Sequence, residues 1–164
     1  NKFKSLLVTT GNKSELAVGY STIYGDMCGG FSIIKDLYKT DVFNLSKWRN
    51  KNYSKLCLHK IVNVIPLNII LKEPTAELKF NQKDSDSLPS YDILDKILYY
   101  LIEKNLSLHQ IEKKGFKKTL ILRVWNMIKN SEYKRFQSTI GPKVSSMSFD
   151  SERRFPLVNK FKID

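Results

Sequence analysis

Cysteine is scarce: Cys28 and Cys57 are the only two in 164 residues, with no C-x-x-C spacing and no histidine cluster beside them. That excludes a disulfide framework and gives no zinc signature, and it fits a chain kept in a reducing cytosol. Histidine is equally sparse. His59 and His109 lie in unrelated contexts, so a Ser-His-Asp or Cys-His nucleophile is not indicated. No apolar run approaches the ~20 residues of a bilayer span, and no basic-then-apolar leader opens the sequence, which predicts a soluble, cytoplasmic protein.

Acidic residues are also in deficit. Sixteen Asp and Glu stand against 28 Lys and Arg, for a net charge of +12, which suits an anionic partner: nucleotide, nucleic acid or membrane surface. The lysines are scattered rather than blocked, as Lys2, Lys4, Lys13, Lys35, Lys39, Lys47, Lys51, Lys55 and Lys60 show. A basic nucleic-acid-binding module is therefore one reading, and a solvated basic surface is the plainer one.

What is present is a strand-turn-helix start. The apolar run Leu6-Leu7-Val8 predicts a short buried strand over residues 3–8, Thr9 to Asn12 supply turn and cap chemistry, and a helix is expected over 14–24. In open α/β folds anions collect at this junction, where free N–H groups and the helix dipole favour negative charge. Five of the seven glycines fall between Gly11 and Gly30, so residues 24–30 should form a tight loop. Thr10 and Glu15 flank the turn and Asp26 rides on the loop: a hydroxyl for phosphate or ribose, and carboxylates that can hold Mg2+ between phosphate oxygens. The competing reading is helix capping by Asn12 and Ser14, with Glu15 favoured in a first turn by the dipole.

Further along, a helix is expected near 42–49, residues 52–63 read either as its continuation or as a loop, and 65–75, bounded by prolines, looks extended. The polar stretch 81–89 is a lid or a connector. Ile93, Leu94, Ile97, Leu98, Leu101 and Ile102 recur at helical spacing over 91–103, Ser107 and Gln110 form a capping box ended by Gly115, and a last amphipathic helix runs over 118–133. The tail from Gln137 should be irregular, pinned by Phe149, Phe155 and Phe161.

Several segments in order resemble the glutamine-dependent NAD synthetase family. They are Thr9 to Tyr20 (TTGNKSELAVGY), Ser21 to Asp26 (STIYGD), Pro74 to Leu78 (PTAEL), Gln82 to Pro89 (QKDSDSLP) and Glu132 to Arg135 (EYKR). The tail with Gly141-Pro142-Lys143 and Arg153 to Pro156 is similar to the glutamine-dependent branch rather than the short ammonia-dependent one. The resemblance implies an α/β fold: the C-terminal portion of an adenine nucleotide alpha-hydrolase-like (Rossmann-like, parallel-sheet) domain, rich in helices after the first strands. It also implies a ligase that adenylates deamido-NAD with ATP and amidates it with glutamine-derived ammonia, giving NAD, AMP and pyrophosphate. By the same resemblance Thr10, Lys39 and Thr75 would contact ATP, and Glu15, Tyr20, Thr22, Tyr133 and Lys134 would contact deamido-NAD, with Glu15 also at Mg2+. Two positions depart from the pattern, Ile23 where some relatives carry Lys and Tyr133 where they carry His. The family's phosphate loop, S-G-G-x-D-S, and its nitrilase-like glutaminase domain do not occur in the 164 residues. The chain is thus expected to be a partial ligase domain over 1–164, inactive alone and homo-oligomeric within the longer enzyme, with the Lys83 to Leu88 stretch as an active-site cover.

Overall fold

The computed structural model describes residues 2–76, 78, 80–150 and 152–158. Two short parallel strands, β1 (Val8–Thr9) and β2 (Phe31–Ser32), pair in the register Val8 to Phe31 and Thr9 to Ser32. Between them runs α1 (Lys13–Val18), so the chain opens on a compact strand-helix-strand unit. β2 was not foreseen, because two residues give no alternation to detect. The expected buried strand over 3–8 is corrected: Leu6 and Leu7 are about two-thirds exposed, and nothing among the described residues covers that face.

α1 begins with a reciprocal cap. The Asn12 side chain accepts from Glu15 N at 3.1 Å, while Glu15 Oε2 accepts from Asn12 N at 3.2 Å. It ends at Val18 rather than running to Tyr24, because Gly19 turns left-handed at φ 71° and Tyr20 N folds back to Glu15 O at 2.9 Å. A Cβ built on Gly19 would also sit 2.2 Å from Ser131 Oγ. Gly19→Ala is therefore expected to lower unfolding free energy by about 2 kcal/mol, from left-handed strain plus this overlap, read as a lower urea midpoint at unchanged slope.

α2 (Lys39–Lys51) extends the expected helix by several residues at its start, since its first turn is capped from elsewhere in the chain. Asp95 Oδ2 accepts from Thr40 N at 2.9 Å and from the Thr40 hydroxyl at 2.8 Å, and Ser14 Oγ accepts from Lys39 N at 2.9 Å. Residues 53–65 resolve to a loop stapled to this helix: Asn50 exchanges two bonds with the Ile65 backbone, at 2.7 and 2.9 Å, and Arg49 reaches Ile61 O at 2.8 Å. The segment expected to be extended instead forms α3 (Leu67–Leu71). Pro66 opens it at no hydrogen-bond cost, since its missing N–H would have no helical partner there.

α4 (Tyr91–Ile102), α5 (Leu108–Glu112) and α6 (Lys118–Asn130) follow the sequence pattern, including the Ser107–Gln110 capping box and a left-handed Gly115. Leu94, Ile97 and Leu98 of α4 meet Ala17 of α1 and Ile121, Val124 and Ile128 of α6 in one core. Each large aliphatic side chain buried there contributes about 1.5–3 kcal/mol. The last expected helix is broken at Ser131, whose hydroxyl donates to Met127 O at 2.6 Å, so that α7 (Glu132–Phe136) is a separate turn.

α7 buries Arg135. Its guanidinium donates to Glu132 Oε2 at 3.0 Å and Ala17 O at 2.7 Å, and lies against the rings of Phe149 and Phe155 at 4.9 and 5.4 Å. Phe149 and Phe155 thus pin the irregular tail as expected, while Phe161 lies outside the described residues. Lys13 is fully buried beside that tail: its ammonium meets Asp36 at 3.1 Å, Glu103 at 3.0 Å, Ser145 Oγ at 2.6 Å and Met147 O at 2.8 Å.

Candidate active site

At the N-terminus of α1 the chain leaves a cavity of about 550 Å³. Its wall is assembled from distant parts of the sequence. Thr10 and Glu15 come from the β1–α1 turn; Tyr20, Thr22 and Asp26 come from the loop after Gly19; Lys39 opens α2; Thr75 and Ala76 follow α3; Asp84 and Lys134 close the far side. Eight of the nine residues singled out from sequence line this one space: Thr10, Glu15, Tyr20, Thr22, Asp26, Lys39, Thr75 and Lys134. Tyr133 does not; it is half exposed on the other side of α7. Glu77 of the Pro74 to Leu78 segment lies outside the described residues.

Polarity inside the cavity is ordered by charge pairs. Lys39 Nζ bonds Glu15 Oε1 at 2.8 Å and stands 5.5 Å from the centroid of the Tyr91 ring. Glu15 therefore both caps its helix and holds a lysine over the helix's positive end, where anionic ligands are favoured. Lys134 Nζ donates to Gly19 O and Ser21 O, each at 2.7 Å, fixing the loop with two of its three N–H bonds. Asp26 accepts from Thr22 N at 2.5 Å, which tightens the same loop.

Asp84 is the member that sequence reasoning left unnamed, although the cover stretch containing it was noticed. It sits on a single 3-10 turn (Asp84–Asp86), is 5 % exposed, and takes the Tyr91 hydroxyl on Oδ2 at 2.7 Å. Its other oxygen, Oδ1, is buried with no hydrogen-bond partner among the described residues. Burial, followed by the charge of and bond to Asp84, raises the Tyr20 phenol; burial together with the Asp84 bond raises Tyr91 as well, so both remain donors.

Among the described residues no three His, Cys, Asp or Glu side chains converge to cage a metal. One carboxylate lines the cavity at the turn, that of Glu15, whose Oε1 accepts from Lys39 and whose Oε2 accepts from Asn12 N. No described helix is long and apolar enough to cross a membrane.

A strand-turn-helix unit between two parallel strands defines the α/β class. Comparison with known proteins narrows it. Residues 1–138 match the family model for NAD synthase, so the chain belongs to the NAD synthase family. It is 51% identical over 164 residues to a glutamine-dependent NAD(+) synthetase of Acinetobacter baylyi, covering all of this chain and 29% of that protein. It is 48% identical over 162 residues to the glutamine-dependent NAD(+) synthetase of Thermotoga maritima, covering 99% of this chain and 27% of the relative. The chain thus spans less than a third of the length of these relatives. The crystal structure of a glutamine-dependent NAD(+) synthetase from Cytophaga hutchinsonii superposes over 95% of this chain and 25% of its own, with a TM-score of 0.70 at 23% identity. That likeness gives the fold alone, an α/β arrangement in which the parallel pair β1–β2 is followed by helices.

Proposed function

We propose that this chain is part of the ligase domain of a glutamine-dependent NAD synthetase, and that its cavity is one wall of the site for ATP and deamido-NAD. The observation that carries the reading is the convergence of Thr10, Glu15, Tyr20, Thr22, Lys39, Thr75 and Lys134, separated by up to 124 positions, on one cavity. In the reaction the nicotinate carboxylate attacks the α-phosphorus of ATP, pyrophosphate leaves, and ammonia displaces AMP from the acyl-adenylate to form the amide. Much of this catalysis is positioning and charge neutralisation.

Lys39 suits the phosphates, as a compact charge on a flexible stem aimed by Glu15. Thr10 and Thr75, which both line the cavity, would contact ATP. Glu15, Tyr20, Thr22 and Lys134 face deamido-NAD, and Tyr133, outside the cavity, would reach it only from a surface completed by other parts of the protein. Mg2+, held by Glu15 and phosphate oxygens, would neutralise charge on the leaving pyrophosphate. The phosphate cradle and the ammonia source belong to sequence beyond these 164 residues, and a cytoplasmic homo-oligomer fits the reading.

The test is NAD formation by the full-length protein that contains this chain, supplied with deamido-NAD, ATP and either glutamine or ammonium. NAD, AMP and pyrophosphate should appear in equal amounts; absence of NAD with both nitrogen sources overturns the reading. Nothing among the described residues favours nucleic acid as partner, and filter binding should show no salt-steep retention of DNA or RNA.

A further inference from the structure

We infer that Asp95 is a positioning residue that, through Ser14 and Thr40, fixes the first turn of α2 and so delivers Lys39 to Glu15, an inference that rests on the ligase reading of the cavity. Asp95 lies in α4 and is 5 % exposed; Ser14 lies in α1 and is fully buried. No step of the proposed reaction touches either of them. Both oxygens of the carboxylate are engaged. Oδ1 accepts from the Ser14 hydroxyl, and Oδ2 accepts from Thr40 N at 2.9 Å and from the Thr40 hydroxyl at 2.8 Å. Ser14 Oγ in turn accepts from Lys39 N at 2.9 Å.

The direction of this relay follows from its single hydroxyl proton. Once Ser14 gives that hydrogen to Asp95, the lone pairs of Oγ are left for an N–H, here that of Lys39. Tyr38, the N-cap of α2, makes no side-chain bond to the helix, so the first two N–H groups of α2 depend on Ser14 and Asp95. A carboxylate at that end is also favoured by the helix dipole. The residue after Ser14 is Glu15, whose Oε1 takes the Lys39 ammonium at 2.8 Å. Neighbouring residues of α1 therefore hold Lys39 at both ends, Ser14 at the backbone and Glu15 at the ammonium. The ion pair opens to the cavity, its side chains being 20 % and 16 % exposed, whereas Asp95 does not line the cavity and needs no ligand to reach it. Because a lysine stem is flexible, a shift or fraying of this first turn would carry the charge away from Glu15.

Asp95→Asn replaces one acceptor oxygen by an N–H group, which cannot accept from Ser14 or Thr40, at almost unchanged volume. In the full-length protein it is expected to lower kcat/KM for ATP about 10-fold through a raised KM, with KM for deamido-NAD and for ammonium within about 2-fold of wild type. Ser14→Ala cuts the same relay in its middle and removes a single oxygen, so it carries the test even where Asp95→Asn does not fold. It should give the same ATP-selective loss. The deciding arm is the Lys39→Met background, in which adding either change should alter the rate less than about 2-fold, since no ammonium remains to be placed. Losses that multiply in the double variants, or wild-type ATP dependence in either single variant, overturn the inference and leave the ligase reading standing. A loss that follows a fall in thermal midpoint and affects every substrate equally marks a merely structural role and also counts against it. A wild-type protein that makes no NAD removes the ligase reading and the inference with it.

Discussion

Glu15→Ala is expected to reduce NAD formation by the full-length protein about 1000-fold, more than any other single change in the cavity. Three functions meet on this side chain. It accepts the Asn12 N–H in the helix cap, it fixes Lys39 at 2.8 Å, and on the proposed ligase reading it would hold Mg2+. Loss of the cap alone costs about 1 kcal/mol of stability. Glu15→Gln separates the effects, because glutamine serves in a capping box as well as glutamate does. The Gln variant should keep a thermal midpoint close to wild type while its rate still falls about 100-fold. A Gln variant with near-normal turnover would show that the residue is a cap and nothing more.

Lys13→Met should cost about 3–5 kcal/mol, the largest stability loss available from one residue here. Methionine fills most of the stem's volume but leaves Asp36 and Glu103 without the cation that both now face. Against a typical unfolding free energy of about 5–15 kcal/mol this is severe, and it is measurable as a drop in urea midpoint. The pH dependence gives an independent reading. Burial pushes Asp36 and Glu103 upward, but the bonds from Ser145 N, Val144 N and Lys13 to Asp36, and from the Ser146 hydroxyl and Lys13 to Glu103, outweigh it and hold both below the usual carboxylate range. Folded values lower than unfolded ones mean that the stabilisation is complete above an ordinary carboxylate pKa of about 4 and is lost as pH falls through the depressed values. In Lys13→Met the sign should reverse. Buried carboxylates without a cation are relieved by protonation, so acidification from neutral pH toward about 4 should narrow the gap to wild type. Parallel pH curves for the two proteins would contradict this account.

How much of this was legible in the sequence depended on whether a residue's partner lay nearby in the chain. The face of α4, the caps at Asn12 and Ser107, and the glycine-rich loop are local patterns, and the structure reproduces them. The site residues were legible through resemblance, and their meeting in one cavity needed the fold. Asp95 sits among the apolar positions of α4, yet it is the cap of α2, whose Thr40 N–H it accepts 55 positions away. Burial raises Asp95, and bonds from Ser14 and Thr40 oppose that shift, a balance that no window of sequence contains. Ser131 breaks a helix whose periodicity continues past it, because its hydroxyl takes a helical carbonyl and α7 must turn to reach α1. Tyr133 was grouped with Lys134 by the family resemblance, yet neighbouring residues on a helix point about 100° apart, and only Lys134 lines the cavity.

That same angular offset joins Lys134 to Arg135. One holds the loop after Gly19 by two carbonyls, and the next is locked into the core by Glu132, the end of α1 and two phenylalanines. The core and the cavity wall are therefore inherited through a single five-residue turn. Mutational drift in the tail that loosens Phe149 or Phe155 will reach the loop after Gly19 through one peptide bond, so descendants of this protein can change that tail only as fast as the cavity tolerates.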